Sequence, residues 1–573
     1  MCACFIIFFC LVKVAVGNPP EDPISCSSGT NDCTITNSYG MFPDRSECHA
    51  RNVIYPATHE EVISAVADGT RLGRKMKAAT KYSHSVPKLA CPGGRDGLII
   101  STKKLNHIIG FHLEDKTVSL EAGVVLKTLI EEAAKVDLVL PYTPYWWGLT
   151  VGGMIATGAH GSTLSRNGSA IHDYVKEITI VSPGTPHEGY AKVRVLNCND
   201  ADIEAAKVSL GLLGVITKVT LRLENLFKRS ITFAKKTDAD LAEQVWSFGK
   251  SHEFADITWH PSQQMAVHRI DDRVPLSTRG NALYDTITFR STAAAVLATS
   301  RMTEEDQERF QDKEGKCLVS KRFSAEMETR AFGLTNDGSH FAGYPAIGYQ
   351  NRIQASGGCL DDEINGMRSG CPWDPRLKSL LAYQTAFSIA LPKAISFIHD
   401  VQQLVRLQPK ALCGLDLYNG ILLRYVTASS AYLGKEEDAV DFYMTYYRSK
   451  DPMAPRLFED VLEEIEQMGI FKYGGLPHWG KNRNVVFDGV LGKYKKGEEF
   501  LKVKRKYDPS RLFSNEWTDR MLGFRNGVSV IKDGCALEGL CRCSQDSHCA
   551  PKKGYLCRPG KVYKEARVCS LVH

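Results

Sequence analysis

The stretch "YWWGLTVGGMIATGAHGST", Tyr145–Thr163, holds five glycines and one histidine in nineteen residues and no other ionisable side chain except its first tyrosine. Glycine weakens a helix or strand by about 0.5–1 kcal/mol relative to alanine, so a cluster marks backbone that turns tightly or approaches something large. Two readings follow: a packing loop, or a cradle for a cofactor. The spacing is not G-x-G-x-x-G behind a first strand, which excludes the Rossmann fingerprint. A dinucleotide held here would be met by another geometry, with main-chain N–H groups facing its pyrophosphate.

Upstream, VIYPATHEEVISAV (Val53–Val66) reads as a strand, a break at Pro56 and a helix capped near Thr58, with Glu60 and Glu61 in its first turn. Leu98–Gly123 reads as strand, turn, strand, with Val118, Leu120 and Ala122 alternating against polar neighbours. Val125–Val136 has helical spacing. Downstream, VKEITIVSP and KVRVLN read as strands. DADIEAAKVSLGLLGVITKVTLRLEN reads as a helix, a glycine turn at Gly211–Gly214 and a strand. The middle of the chain mixes strands with helices such as Leu457–Met468, and no internal repeat is present.

The chain has 573 residues, a net charge of +6, 43% hydrophobic and 24% charged residues. That is the composition of a multidomain globular protein, with no basic stripe to recruit nucleic acid. The N-terminus, MCACFIIFFCLVKVAVGNPP, has an apolar run followed by Ala15-Val16-Gly17, which predicts a signal peptide over 1–17 and a secreted protein. No later run is long enough to cross a bilayer, so stable membrane insertion is not expected. Of 18 cysteines, three lie in that leader and six crowd residues 535–569. In a secreted chain this reads as a disulfide framework, three bridges of open connectivity, with Cys26–Cys33 a further candidate. The remaining fifteen are odd in number, so at least one thiol is left over.

The segment ATKYSHSVPKLACPGG (Ala79–Gly94), then TVGGMIATGAHGS, SLGLLGVITKVTLRL and PHWGKNRN (Pro477–Asn484) occur in this order along the chain. In that order they resemble flavoproteins of the vanillyl-alcohol oxidase type, and within them the aldonolactone oxidoreductases. The cysteine-rich tail on such a body is similar to the plant L-gulonolactone oxidase branch. The resemblance implies an α+β protein. A PCMH-type FAD-binding domain of two α/β subdomains (48–230) would precede a substrate or cap domain with an antiparallel sheet that returns to the flavin (231–525). A small disulfide-rich module (533–573) would close the chain.

It further implies FAD, cradled by Gly152, Gly153, Thr157, Gly158, Gly161 and Ile216. Lys81, Tyr82, Ser83, Ser85 and Ser162 would lie beside it, and His84 would be a covalent tether to the flavin. Lys81-Tyr82-Ser83 stands where the family carries glycine before that histidine. The H-W-x-K signature falls on His478 and Lys481. The lysine would stabilise developing negative charge, and the histidine would serve as base or hydrogen-bonding orienter. Arg424 in NGILLRYV matches the family's substrate arginine, whereas Leu422 stands where a carboxylate is expected.

The implied reaction is oxidation of L-gulono-1,4-lactone by dioxygen to ascorbate and hydrogen peroxide. The partners are then a small sugar lactone and O2, and the oligomeric state is left open. The rivals are an oxidase of another sugar, aldonolactone or alcohol, which Leu422 keeps in play, and a secreted binding protein that retains the flavin fold as a scaffold.

Overall fold

The computed structural model describes residues 24–35, 48–80, 87–94, 96–165, 168–290, 292–360, 369–370 and 382–572. The leader expected at 1–17 and the whole Lys81–Ser85 segment, His84 included, lie outside the described residues.

The first sheet joins β1 (Ile24–Ser28), β2 (Asn31–Ile35), β3 (Cys48–Ile54), β4 (Met76–Ala79) and β5 (Leu98–Ser101) in the order β1-β2-β3-β5-β4. Its last three strands run parallel. Parallel neighbours need a crossover, and α1 (His59–Arg71) supplies it. Thr58 caps this helix by accepting from the Glu61 amide at 3.1 Å, an interaction whose loss costs about 1 kcal/mol. Val62, Ala65, Val66 and Gly69 form its buried stripe.

The second sheet contains β6 (Ile108–His112), β7 (Thr117–Glu121), β8 (Val175–Pro183), β9 (Ala191–Asn197) and β10 (Val215–Arg222), ordered β9-β8-β10-β7-β6 and antiparallel throughout. Leu98–Gly123 thus contributes to two sheets. The break after Lys104 sends Leu98–Ser101 to the first, and the turn of the second hairpin falls at Lys116, which is left-handed with φ 49°. Helix α2 (Leu126–Ala134) and the short α3 (Val151–Ala156) pack into the core of this unit. The helix expected after Asp200 is a single turn, Ile203–Ala206. Left-handed Leu210 and Gly211, with φ of 54° and 61°, end the segment before it can extend.

An eight-stranded antiparallel sheet forms the middle of the molecule. It comprises β11 (Lys228–Thr237), β12 (Asp256–His260), β13 (Met265–Val274), β14 (Ala346–Tyr349), β15 (Ala382–Ala390), β16 (Ile421–Val426), β17 (Ala439–Tyr447) and β18 (Leu476–Pro477). Their order is β14-β11-β13-β12-β16-β17-β15-β18. Ile257, Trp259, Ile421, Leu423, Val440 and Phe442 share a core with residues of helices α4 (Leu241–Ser251) and α5 (Leu391–Leu407). Alternate residues of the same strands therefore point to the opposite face.

The tail folds around bridges Cys535–Cys541, Cys543–Cys557 and Cys549–Cys569 and a final hairpin, β19 (Tyr555–Pro559) with β20 (Arg567–Leu571). Cys26–Cys33, Cys48–Cys91 and Cys317–Cys413 are also bridged, Cys359 is disulfide-bonded, and Cys198 is a free, exposed thiol. Among the described residues no helix is long and apolar enough to cross a membrane.

Candidate active site

Within Val151–Thr163, Gly152, Gly153, Ala156, Thr157 and Gly158 are half-buried, and the other residues are buried. The segment therefore presents one open seam. The Thr150 hydroxyl is buried without a partner there, and a Cβ built on Gly153 would stand 3.1 Å from it and 3.2 Å from Thr80 Cγ2. Gly158 needs its missing side chain for a φ of +67°. An unpartnered donor beside a strip of bare main chain fits a dinucleotide, with Gly153, Thr157 and Gly158 the residues best placed to hold it.

Two other glycines answer to the protein itself. A Cβ on Gly152 would meet the Ala122 Cβ at 2.9 Å, and one on Gly161 would meet the Tyr142 Cβ at 2.8 Å. Ser162 was expected beside the flavin, but its hydroxyl is spent elsewhere: it donates to the Ala255 carbonyl and accepts from the Tyr425 amide at 2.9 Å, tying the glycine segment to the cap sheet. Ile216 lies in the core of the second subdomain, next to the bulge between Ile216 and Lys218.

The polar side of the eight-stranded sheet meets the glycine segment at Tyr145 and His160. Register pairs Arg269 with Asp256, Asp256 with Arg424, Arg424 with Asp441 and Asp441 with Ser388, so charges alternate across four strands. Such charges survive burial only when paired. Arg269 Nη1 meets Asp256 Oδ2 at 2.9 Å, and Tyr145 of the glycine segment donates to the same carboxylate. Arg424 stacks over the Tyr145 ring at 4.4 Å and donates to the His160 carbonyl.

His160 is fully enclosed. Its Nδ1 donates to the Gly161 carbonyl at 2.8 Å and its Nε2 lies 3.5 Å from Asp441 Oδ2. Burial alone would raise the Asp441 carboxyl, but the adjoining His160 imidazole and the nearby cation of Lys435 hold it well below the usual carboxylate range. Asp441, Tyr443, Asp256 and Arg269 were not anticipated. Their only sequence signal is period-two alternation in strands such as AVDFYMTYY, where Asp441, Tyr443 and Thr445 share a face.

The loop after β18 carries the third wall. Its His478 ring lies 6.1 Å from that of His160. The two rings line a cavity of about 20 Å3 together with Thr157, Gly158, His172 and Lys435. The Gly480 amide donates to His478 Nδ1 at 3.1 Å, which places the proton of the neutral ring on Nε2. Burial, then the Lys481 charge, push this imidazole well below its ordinary value. Lys481 stands 3.9 Å over the Tyr443 ring, and burial followed by repulsion from Arg424 lowers its amine to about 7, against the pull of Asp441. Trp479 is a packing residue: its indole donates to the Leu433 carbonyl at 3.0 Å and stacks near Phe487 and Tyr494. The three segments that the sequence singled out separately, apart from 81–85, thus converge: Thr157–His160, Arg424 and His478–Lys481.

Residues 50–185 match the FAD binding domain family, 382–521 the D-arabinono-1,4-lactone oxidase family and 532–571 the L-gulonolactone oxidase 2-like C-terminal domain. Probable L-gulonolactone oxidase 6 of Arabidopsis thaliana is 58% identical over 562 residues, 98% of this chain and 93% of the relative. The chain belongs to the plant L-gulonolactone oxidase family.

L-gulonolactone oxidase of Bos taurus is 21% identical over 84% of the chain and 96% of its own length. Among solved structures a solvent-stable cholesterol oxidase shares the fold, with a TM-score of 0.65 at 14% identity over 86% of this chain and 98% of that one. The protein is accordingly an FAD-dependent aldonolactone oxidase of mixed α and β structure, built on the PCMH-type flavoenzyme fold with a disulfide-rich C-terminal region.

Proposed function

We propose that the substrate is L-gulono-1,4-lactone, oxidised at the hydroxyl beside the lactone carbonyl. The 2-keto lactone enolises to L-ascorbate, and the two electrons and two protons removed reduce dioxygen to hydrogen peroxide. When bound, FAD supplies the hydride acceptor and the route to oxygen. The protein supplies the rest. With its amine near pH 7, Lys481 takes the hydroxyl proton at Nζ, and the ammonium so formed is the counter-charge of the reaction centre. Arg424 orients the lactone oxygens, its guanidinium fixed by the His160 carbonyl and the Tyr145 ring. His478 offers its Nε2–H as a hydrogen-bond donor, the orienting role of the two first considered, because its other nitrogen already accepts from Gly480. The observation that carries this reading is Lys481, half-buried against the Tyr443 ring, near Arg424 and one short loop from the His160–His478 contact.

We also propose that FAD is tethered through His84 and that the protein is secreted after cleavage behind Gly17. Yellow colour retained by acid-precipitated protein and lost in His84→Ala, with secreted chains beginning at Asn18, is the expected result. Peroxide release on a panel of aldonolactones and alditols tests the substrate. Turnover of another sugar with none of gulonolactone would overturn that assignment. Leu422 favours such an alternative lactone, since it places an apolar side chain on the Arg424 face, opposite Thr258 and Tyr443.

A further inference from the structure

The loop that carries His478 and Lys481 is pinned by its neighbour Asn482, a left-handed residue with φ 84°. Asn482 Oδ1 accepts from the Ala386 amide at 2.7 Å, and its Nδ2 donates to the Ala386 and His478 carbonyls at 2.9 and 3.0 Å. Behind it the Thr385 hydroxyl lies 2.6 Å from Asn482 Oδ1 and 2.7 Å from Glu466 Oε1. Glu466 also holds the next residue of the loop, Arg483, which is fully buried and bonds Glu463 at 2.5 Å. Both glutamates stand on α6 (Glu459–Gln467).

The outer side of Arg483 is covered by the cysteine module. Gly539, with φ +61°, packs so closely that an added Cβ would lie 2.5 Å from Arg483 Cδ. Its carbonyl accepts from the Val485 amide at 3.0 Å, and Glu538 Oε1 accepts from the Tyr383 hydroxyl at 2.8 Å. Both residues sit inside the small ring closed by Cys535–Cys541. A second foot stands apart from the loop: Glu464 accepts from the amides of Lys561, Val562 and Tyr563 at 2.6, 2.6 and 2.7 Å, and Gln467 exchanges two bonds with the Arg567 main chain at 2.8 and 3.0 Å.

We infer that the Cys535–Cys541 ring is the outer brace of the His478–Lys481 loop, with Glu538 and Gly539 as positioning residues acting through Tyr383, Arg483 and Val485. Its importance for turnover rests on the roles proposed for His478 and Lys481. Hydrogen bonds and close packing hold the loop against the body of the protein, and the outermost of these contacts come from the tail.

Hydrogen exchange on the full-length, FAD-loaded protein tests the brace without relying on activity. Gly539→Ala is expected to speed exchange of the 476–487 amides about tenfold, Tyr383→Phe to do so less, and Glu464→Gln to act on 560–567 alone. If Gly539→Ala fails to fold, Tyr383→Phe carries the test. Unchanged exchange over 476–487 in the folded variants overturns the proposal. So does equal acceleration there by Glu464→Gln, because the loop would then merely follow overall stability. Faster exchange with peroxide formation intact upholds the brace and removes Lys481 from the chemistry proposed above.

Discussion

The two faces of the eight-stranded sheet are made by the same strands and obey opposite rules. On one, Ile257, Trp259, Ile421, Leu423, Val440 and Phe442 are sealed against helices and contribute stability. On the other, one residue along, Asp256, Thr258, Leu422, Arg424, Asp441 and Tyr443 lie on the side that meets the glycine segment, with buried charges whose desolvation costs more than an apolar core would. The difference shows where the protein accepts a thermodynamic cost in return for a fixed electrostatic field. A change on the first face should alter folding and leave the chemistry alone; a change on the second should do the reverse.

The largest effect is expected from Lys481→Met. It should lower kcat/KM by about 10²–10⁴-fold with little change in melting temperature. In the parent enzyme the free amine is the active form, so kcat/KM should rise with pH through about 7, where Lys481 gives up its proton, and the variant should lack that limb. A parent profile flat from pH 6 to 8 would break the assignment of this amine as base. Phe442→Ala belongs to the opposite face and should cost about 3–5 kcal/mol in a denaturation series while leaving the pH profile in place. A moved profile would show that the two faces are not separable.

Asp441→Asn comes next, with an expected loss of about 10–100-fold in kcat/KM. Asp441 raises the Lys481 amine, so its removal should shift the limb to lower pH, measurable in the same titration. The smallest effect is that of Leu422→Glu, which places a carboxylate on the polar face opposite Tyr443 and should move the limb upward by less than about one unit. Its sign, opposite to that of Asp441→Asn, sharpens the comparison.

Much of the frame was legible because it is written locally. The Thr58 cap, the alternation of Val118 and Leu120 and the crowding of tail cysteines each declare themselves within one short stretch of chain. The site was legible only where a segment carried its own oddity, as the glycines and the His478–Lys481 run do. Asp256 and Asp441 could not be read in this way. They become partners of Arg424 through strand register, from positions 168 and 17 residues away in the numbering, and nothing near either one announces it. Ser162 is a similar case: the partners of its hydroxyl, Ala255 and Tyr425, are far from it in the sequence. Gly152 and Gly161 show that a glycine-rich run can serve packing and ligand approach at once, which spacing alone does not separate.

The contacts of Glu538, Gly539 and Arg567 with the body of the protein bear on the order of events in biosynthesis. A chain emerges from the ribosome N-terminus first, and these residues appear after the lysine loop. The glycine seam and the cap sheet are therefore complete in sequence while the segment that clasps the lysine loop is still being translated. A nascent chain would own every proposed group of the reaction centre and still lack its clasp until the Cys535–Cys541 ring has emerged and closed.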